Sequence, residues 1–224
     1  MADIVWLTLR LAGAATLILL VVATPLGWWL ARHRGWKAEI LGALVALPIV
    51  LPPTVLGFYL LIALGPHSVL MAPLQALGVR TLAFTFEGLV IGSVIYSLPF
   101  AVQPLRNAFR AVGEENLDAA ATLGASGWQA FVRVVLPLSI PGYVVAAILS
   151  FAHTIGEFGV VLMIGGGIPG STNVLSIEIY KAVEALEWGR AHAMAAALAL
   201  FGFIVVLALL RLEGRVSPPP LNER

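Results

Sequence analysis

The sequence contains no cysteine. That absence excludes disulfides, thiolate metal sites, iron-sulfur clusters and a lipid-modified N-terminal cysteine. Charge is scarce as well: Asp, Glu, Lys and Arg make up 11% of the chain and the net charge is +1, where soluble domains carry about 25% charged residues. The concentrated basic face that nucleic-acid binding needs is missing, so no nucleic-acid partner is expected. No Gly-x-x-x-x-Gly-Lys-Ser/Thr segment occurs, which leaves the chain without a phosphate loop of that kind for ATP. Its four histidines are scattered and no acid-base cluster recurs at a useful spacing, so neither a catalytic residue nor a metal site is assigned and no cofactor is expected on this chain. Internal repeats are lacking too, and low-complexity sequence is confined to Ser217, Pro218, Pro219 and Pro220.

Apolar residues take the place of the missing polar ones. At 60% hydrophobic, the chain has too few polar residues, too tightly clustered, to cover a soluble domain, and it is expected in a lipid bilayer with the clusters as loops. A helix crossing about 30 Å of hydrocarbon needs roughly 20 apolar residues. Five runs qualify, at approximately 11–31, 40–64, 88–108, 137–164 and 191–210. Their length and continuity imply helices and not barrel strands, hence an all-α integral membrane protein. A sixth span is conceivable around 71–76, but Pro66, His67 and Pro73 favour a loop or re-entrant turn there. The N-terminus has no positive leader, and the run after Arg10 is too long for a signal-peptide core, so it is expected to stay as the first span. One domain over 1–216 is expected, followed by a short polar tail at 217–224.

The basic residues are unevenly shared between the turns. Arg32, Arg34, Lys37, Arg106, Arg110, Arg133, Arg211, Arg215 and Arg224 fall on one side, and only Arg10, Arg80, Lys181 and Arg190 on the other, nine of thirteen against four. The positive-inside tendency assigns the richer side to the cytoplasm, with the N-terminus outside and the C-terminus inside. Trp28, Trp29 and Trp36 near the inner boundary and Trp188 near the outer suit interfacial anchors.

One polar, alanine-rich stretch lies on that cytoplasmic side, within about 113–136. Asn116 is placed to cap a short helix outside the bilayer, and Asp118 to sit in its first turn near the positive end of the helix dipole. Ala119, Ala120 and Ala121 add helix propensity and almost no bulk. Such a face either packs against the protein's own helices or lets another protein approach closely. Gly124 costs about 1 kcal/mol in a helix interior, which points to a close contact, a helix end or a bend. Pro137 suits the first turn of the fourth span.

The spacing Asp118-Ala119-Ala120, three residues, Gly124, nine residues, Val134, one residue, Leu136-Pro137 resembles the cytoplasmic signature of bacterial ABC importer permeases, with Asp118 where that family usually has Glu. The resemblance implies a MetI-like type I permease fold and a coupling helix docked into a cleft of a separate ATPase subunit. It assigns Asp118, Ala119, Ala120 and Gly124 to that contact, with Leu136 and Pro137 anchoring it to the fourth span. The segment from Leu47 to Gly57 and the run Gly156-Glu157-Phe158-Gly159 are similar to the branch that handles molybdate, tungstate and sulfate. Gly165-Gly166-Gly167-Ile168-Pro169-Gly170, then Thr172, Ser176 and Ile179-Tyr180, follow the external loop of its molybdate subfamily, although Gly167 stands where Asn is frequent. By this resemblance Gly165, Gly166, Pro169 and Gly170 face an external, periplasmic substrate-binding protein. ATP and Mg sit on the partner ATPase, and two copies of the chain form a homodimer around one pathway in the bacterial inner membrane. ATP binding draws the coupling helices together and opens the pathway outward; hydrolysis resets it. Tungstate or sulfate is the alternative cargo.

Residues within the spans carry weaker signals. Pro48, Pro52 and Pro53 interrupt the second span and free backbone groups, which fits either a pathway lining or a packing kink. Glu157 is the one acid deep in an apolar run, where a charge costs about 2.5 to 3.5 kcal/mol on insertion scales. A carboxylate would repel an anion, so a gate or helix-packing role is expected, with His153 as an i, i+4 partner. No Arg or Lys lies near the middle of a span, as suits a conduit that binds an oxyanion weakly. A proton-driven secondary transporter working through Glu157 is the reading from a different class. It calls for an internal repeat or discontinuous helices, and neither is legible in the sequence.

Overall fold

The computed structural model describes residues 1–216; the tail expected at 217–224 lies outside the described residues, as do Arg224 and the side chain of Arg215. The only regular structure among the described residues is helical, with no strand among them. Helix α1 (Ala2–Arg32) buries Leu7, Leu11, Ala15, Leu19, Ala23, Gly27 and Leu30 along one face, a stripe stepping by three and four residues as helix geometry demands. At 1.5 Å per residue it is about 46 Å long, enough to pass right through a bilayer.

Helices α2 (Trp36–Val50) and α3 (Pro53–Leu64) follow, then a single 3-10 turn (Val69–Met71) and the five-residue α4 (Ala72–Ala76). The segment around 71–76 is thus a loop with two short helical turns. Helix α5 (Phe86–Ala111) is capped by Thr85, whose hydroxyl accepts from the Gly88 amide at 3.1 Å. Beyond it come α6 (Glu114–Thr122), α7 (Gly127–Ala130), a π-turn (Phe131–Val135), α8 (Leu136–Leu138), α9 (Ile140–Gly156), α10 (Gly159–Gly165), α11 (Leu175–Glu184) and α12 (Trp188–Val216).

The parallel pair α1 and α5 is the spine, with Arg10 against Phe86 at one end and Leu30 against Arg110 at the other, and α9 packs on both. Small residues allow the close approach: a Cβ at Gly27 would lie 3.3 Å from Leu105 Cβ, and one at Gly142 would overlap Ala108. This is how helices associate where lipid gives no hydrophobic drive. Two core clusters line the spine. One groups Leu19, Leu30, Val102, Leu105 and Phe109 at the end where α6 lies, and the other groups Leu7, Leu11, Leu89, Val160, Ile164 and Ile177 at the opposite end.

Three helices are long and apolar enough to cross a membrane alone, α1, α5 and α12, and up to five crossings result if each of two bent pairs is one span. The continuous second span expected at 40–64 is corrected: α2 and α3 meet at 110°. Leu51 and Pro52 are both extended, with ψ of 136° and 135°, because a residue before proline is driven out of the helical region and here two prolines follow in succession. Pro48 stays buried inside α2 without breaking it. The fourth span at 137–164 is likewise interrupted, first by a 67° bend at Ser139 and again at Glu157 and Phe158. Discontinuous helices are therefore present in two spans, the first at the prolines that interrupt it in the sequence and the second at breaks the sequence did not mark. Trp28 also departs from expectation: it packs edge-on against Phe109 and Phe131, with ring centroids 5.7 and 5.2 Å away.

Candidate functional site

Helix α6 begins earlier than Asn116. Gly113, at φ 76°, turns the chain sharply out of α5, and Glu114 and Glu115 occupy the first turn. Asn116 instead reaches back, its Nδ2 donating to the Val112 carbonyl at 2.6 Å. Asp118 falls in the second turn, so the dipole-facing role expected of it belongs to Glu114 and Glu115. The two readings of the alanine run divide between residues: Ala120 is buried, while Asp118 and Ala119 face outward.

Gly124 ends the helix. Its φ is 80°, its amide donates to the Ala121 carbonyl at 2.9 Å, and the next amide, Ala125, donates to Ala120 at 3.0 Å. That pair of bonds is a Schellman closure, which requires a left-handed residue at this point. A Cβ on Gly124 would meet nothing within 4 Å, so backbone conformation and not close approach explains the glycine.

Beyond the turn, Ser126 and Gln129 form a reciprocal capping box that starts α7. Leu123 is 88% exposed and Trp128 is 72% exposed, two large apolar side chains presented beside Ala119. A hollow of about 430 Å³ opens beside Leu123, lined in part by Ala119, Leu123, Gly124, Gln129 and Arg133. Sequence reasoning did not single out Leu123 and Trp128; the available signal was a Leu and a Trp within a stretch too polar to be a span. Leu136 and Pro137 are exposed. Pro137 has no N–H for the carbonyl four residues back, and the preceding turn widens to π, with the Leu136 amide reaching Phe131. The tie to α9 is therefore this rigid turn and not side-chain burial.

The external-loop candidates lie at the other end of α1. Gly170 and Arg10 line one cavity there, Arg10 sits 4.3 Å over the Phe86 ring, and the Leu175 amide donates to Thr8 Oγ1 at 2.9 Å. Arg32, near the last turn of α1, instead shares a cavity with Arg106, Gly113 and Glu114. The α6 segment and the glycine loop are thus a helix length apart. In the loop Gly165 is buried, whereas Gly166, Pro169 and Gly170 are exposed at the tip.

A polar network holds the loop. Thr172 Oγ1 accepts from the Ile168 amide at 2.9 Å and donates to the Gly165 carbonyl. Lys181 Nζ donates to the Gly167 carbonyl and, at 2.9 Å, to Asn173 Oδ1. Asn173 donates to Glu178 at 2.6 Å, and Glu178 pairs with Arg190. Gly167 has φ 64°, a left-handed conformation that Gly adopts freely and Asn tolerates, which accounts for Gly where Asn is frequent.

Glu157 is 4% exposed. Its Oε1 accepts from the amides of Val160 and Val161 at 2.8 and 3.1 Å, so the side chain caps the start of α10. Ser176 Oγ donates to the Glu157 carbonyl at 2.6 Å, tying the break to α11. The expected pairing with His153 is absent, because α9 ends at Gly156 and takes Glu157 off the i, i+4 register. His153 Nδ1 lies 2.9 Å from Ser97 Oγ, and its ring stacks on Phe100 at 4.0 Å. Pro53 packs on α10: a Cβ at Gly159 would lie 2.5 Å from Pro53 Cβ, and one at Gly57 would lie 2.7 Å from Met163 Cβ. The two broken spans thus meet where each resumes, and Pro52 remains exposed at the break. Pro48, Pro52, Pro53 and Glu157 do not line the cavities described here.

Residues 23–218 match the family described as "Binding-protein-dependent transport system inner membrane component". The chain belongs to this family. A relative of this inner membrane component, the molybdenum transport system permease protein ModB of Azotobacter vinelandii, is 57% identical over 203 residues, covering 91% of this chain and 90% of the relative. Among solved structures, the permease has the fold of a bacterial alginate ABC transporter crystallised with its pentasaccharide-bound periplasmic protein, at TM-score 0.74 and 18% identity, covering 96% of this chain and 78% of that one. It also matches an inward-facing MetNI methionine ABC transporter at TM-score 0.67 and 19% identity, covering 97% and 96%. The MetI-like, all-helical permease fold implied by the cytoplasmic signature is therefore established.

Proposed function

We propose that this permease carries molybdate inward across the cytoplasmic membrane, driven by ATP on a separate subunit. The cargo rests on the 57% identity to a molybdenum transport permease along nine-tenths of both chains. The drive rests on one structural observation: α6 stands outside the spans, ends in the Gly124 closure, and presents Asp118 and Ala119 with exposed Leu123 at its end, while α7 just beyond the turn exposes Trp128. Two exposed apolar side chains flanking the Gly124 turn, rimmed by polar residues, are the kind of surface a protein partner covers. Asp118, Ala119, Leu123 and Trp128 make the contact with the cytoplasmic ATPase, Gly124 fixes the end of the docked helix, and the π-turn with Leu136 and Pro137 passes its movement to α9.

The exposed tip at Gly166, Pro169 and Gly170 receives a periplasmic binding protein, with Lys181 and Thr172 holding its shape. Pro53 and Glu157 act as packing and capping residues at the junction of the broken spans. A second copy of the chain completes the pathway as a homodimer. The N-terminus lies outside and the C-terminus in the cytoplasm, as the charge asymmetry directs.

Reconstitution tests the reading. With its ATPase and binding protein in liposomes, the permease is expected to take up molybdate only with ATP, and molybdate in preference to sulfate. Uptake driven by a pH gradient without ATP, and lost in Glu157→Gln, would sink it; equal uptake of sulfate would overturn the cargo alone.

A further inference from the structure

The largest cavity described, about 1280 Å³, opens at the end of the spine beside α6, between the α1–α2 turn and the last turns of α5. Arg32, Arg34, Arg106 and Arg110 line it, against Glu39 and Glu114. Four cations face two acids, yet none of the four forms an ion pair among the described residues, where the ion pairs found involve only Arg190. Arg106 is the telling member. Its Nε is buried with no hydrogen-bond partner, and the residue also lines a second cavity of about 200 Å³ that reaches Val45 and Val102 between the helices. Arg110, one turn further along α5, spends one donor on the Leu30 carbonyl at 3.3 Å. Arg32 rests over the Trp28 ring at 5.1 Å.

Buried donors without partners are rare and call for a ligand or solvent. Guanidinium groups present flat forks of N–H donors that match a tetrahedral oxyanion, and their charge is permanent. No Lys or Arg lies nearer the middle of the spans, so these are the first cations an anion meets after it has passed the middle of the spans. We infer that Arg106 and Arg110 form an oxyanion site at the cytoplasmic mouth of the permease, filled either by departing cargo or by the phosphate of an anionic lipid. Only the cargo source rests on the proposed function. Because Glu114 and Gly113 form part of the same wall, an occupant also touches the start of α6.

The test needs neither uptake nor ATP hydrolysis, so it can fail while ATP-driven import stands, and its lipid arm reads even if import is disproved. The full chain is purified with its ATPase in phosphate-free detergent and dialysed against molybdate. In parallel it is passed through mixed micelles of phosphatidylglycerol and phosphatidylcholine, and the retained lipid is counted by native mass spectrometry. The double variant Arg106→Gln/Arg110→Gln is compared with wild type and with Arg80→Gln at the opposite end. Retention of at least one probe is expected to fall tenfold or more in the double variant and to hold in Arg80→Gln. Loss of molybdate identifies the cargo as occupant, and loss of phosphatidylglycerol identifies the lipid. Equal retention of both probes by wild type and double variant, or no retention by wild type, overturns the site. Should the double variant not fold, the exposed single variant Arg110→Gln decides: a severalfold loss of one probe supports the site, and unchanged retention of both overturns it.

Discussion

Glu157 owes its place to the backbone beside it. Its carboxylate takes the amides of Val160 and Val161, two donors that α10 leaves open at its start. Removing that acceptor from a buried site leaves both amides unpaired, so Glu157→Ala is expected to lower stability by about 2 kcal/mol. Glu157→Gln keeps a carbonyl oxygen in the same position and is expected to retain ATP-driven uptake with a much smaller loss of stability. Thermal unfolding in detergent alongside the uptake assay checks both, and a folded but transport-dead Gln variant would point to a charge-dependent role. Gly124→Ala is expected to cost about 1 kcal/mol through its left-handed backbone, measurable in the same unfolding experiment. The sequence showed that Glu157 was buried and unusual, but not that the helix would stop one residue before it. The His153 pairing failed for that reason: i, i+4 logic holds only within an unbroken helix.

At the level of helices, the spine was the most legible part. The stripe on α1 repeats with helical period, and a long apolar run without internal breaks has few other ways to fold in lipid. The broken spans were less legible, because hydropathy measures apolar length and not direction: 40–64 is one apolar run and yet two helices at 110°. The prolines located the break, while the contact that stabilises it, Gly57 against Met163 and Gly159 against Pro53, joins residues about a hundred positions apart. Gly57→Leu is expected to force α3 away from α10 at a cost of about 2 kcal/mol, read as a lower melting temperature with the α1–α5 pairing retained. In α6 the motif marked the helix but not its orientation. Only packing shows that Ala120 faces inward and Ala119 outward, and only exposure reveals Leu123 and Trp128 as part of that surface.

For the whole molecule, charge asymmetry and the fold agree in grouping Arg32, Arg106 and Arg110 at the end where α6 lies, and they set the glycine loop at the other. The orientation of that axis in the membrane is open to direct test because the chain lacks cysteine, so any cysteine introduced is the sole labelling site. In intact cells, Gly170→Cys is expected to react with a membrane-impermeant maleimide and Leu123→Cys only after lysis; the reverse pattern would invert the topology. The central claim, that nucleotide-driven movement enters through α6, is tested most directly by molybdate taken up per ATP hydrolysed in liposomes containing the complete transporter with Ala119→Trp. A large side chain on that outward face leaves the spans and their packing untouched, so the variant is expected to insert and fold as wild type while uptake per ATP falls at least tenfold. A ratio equal to wild type would contradict docking of the ATPase at this helix.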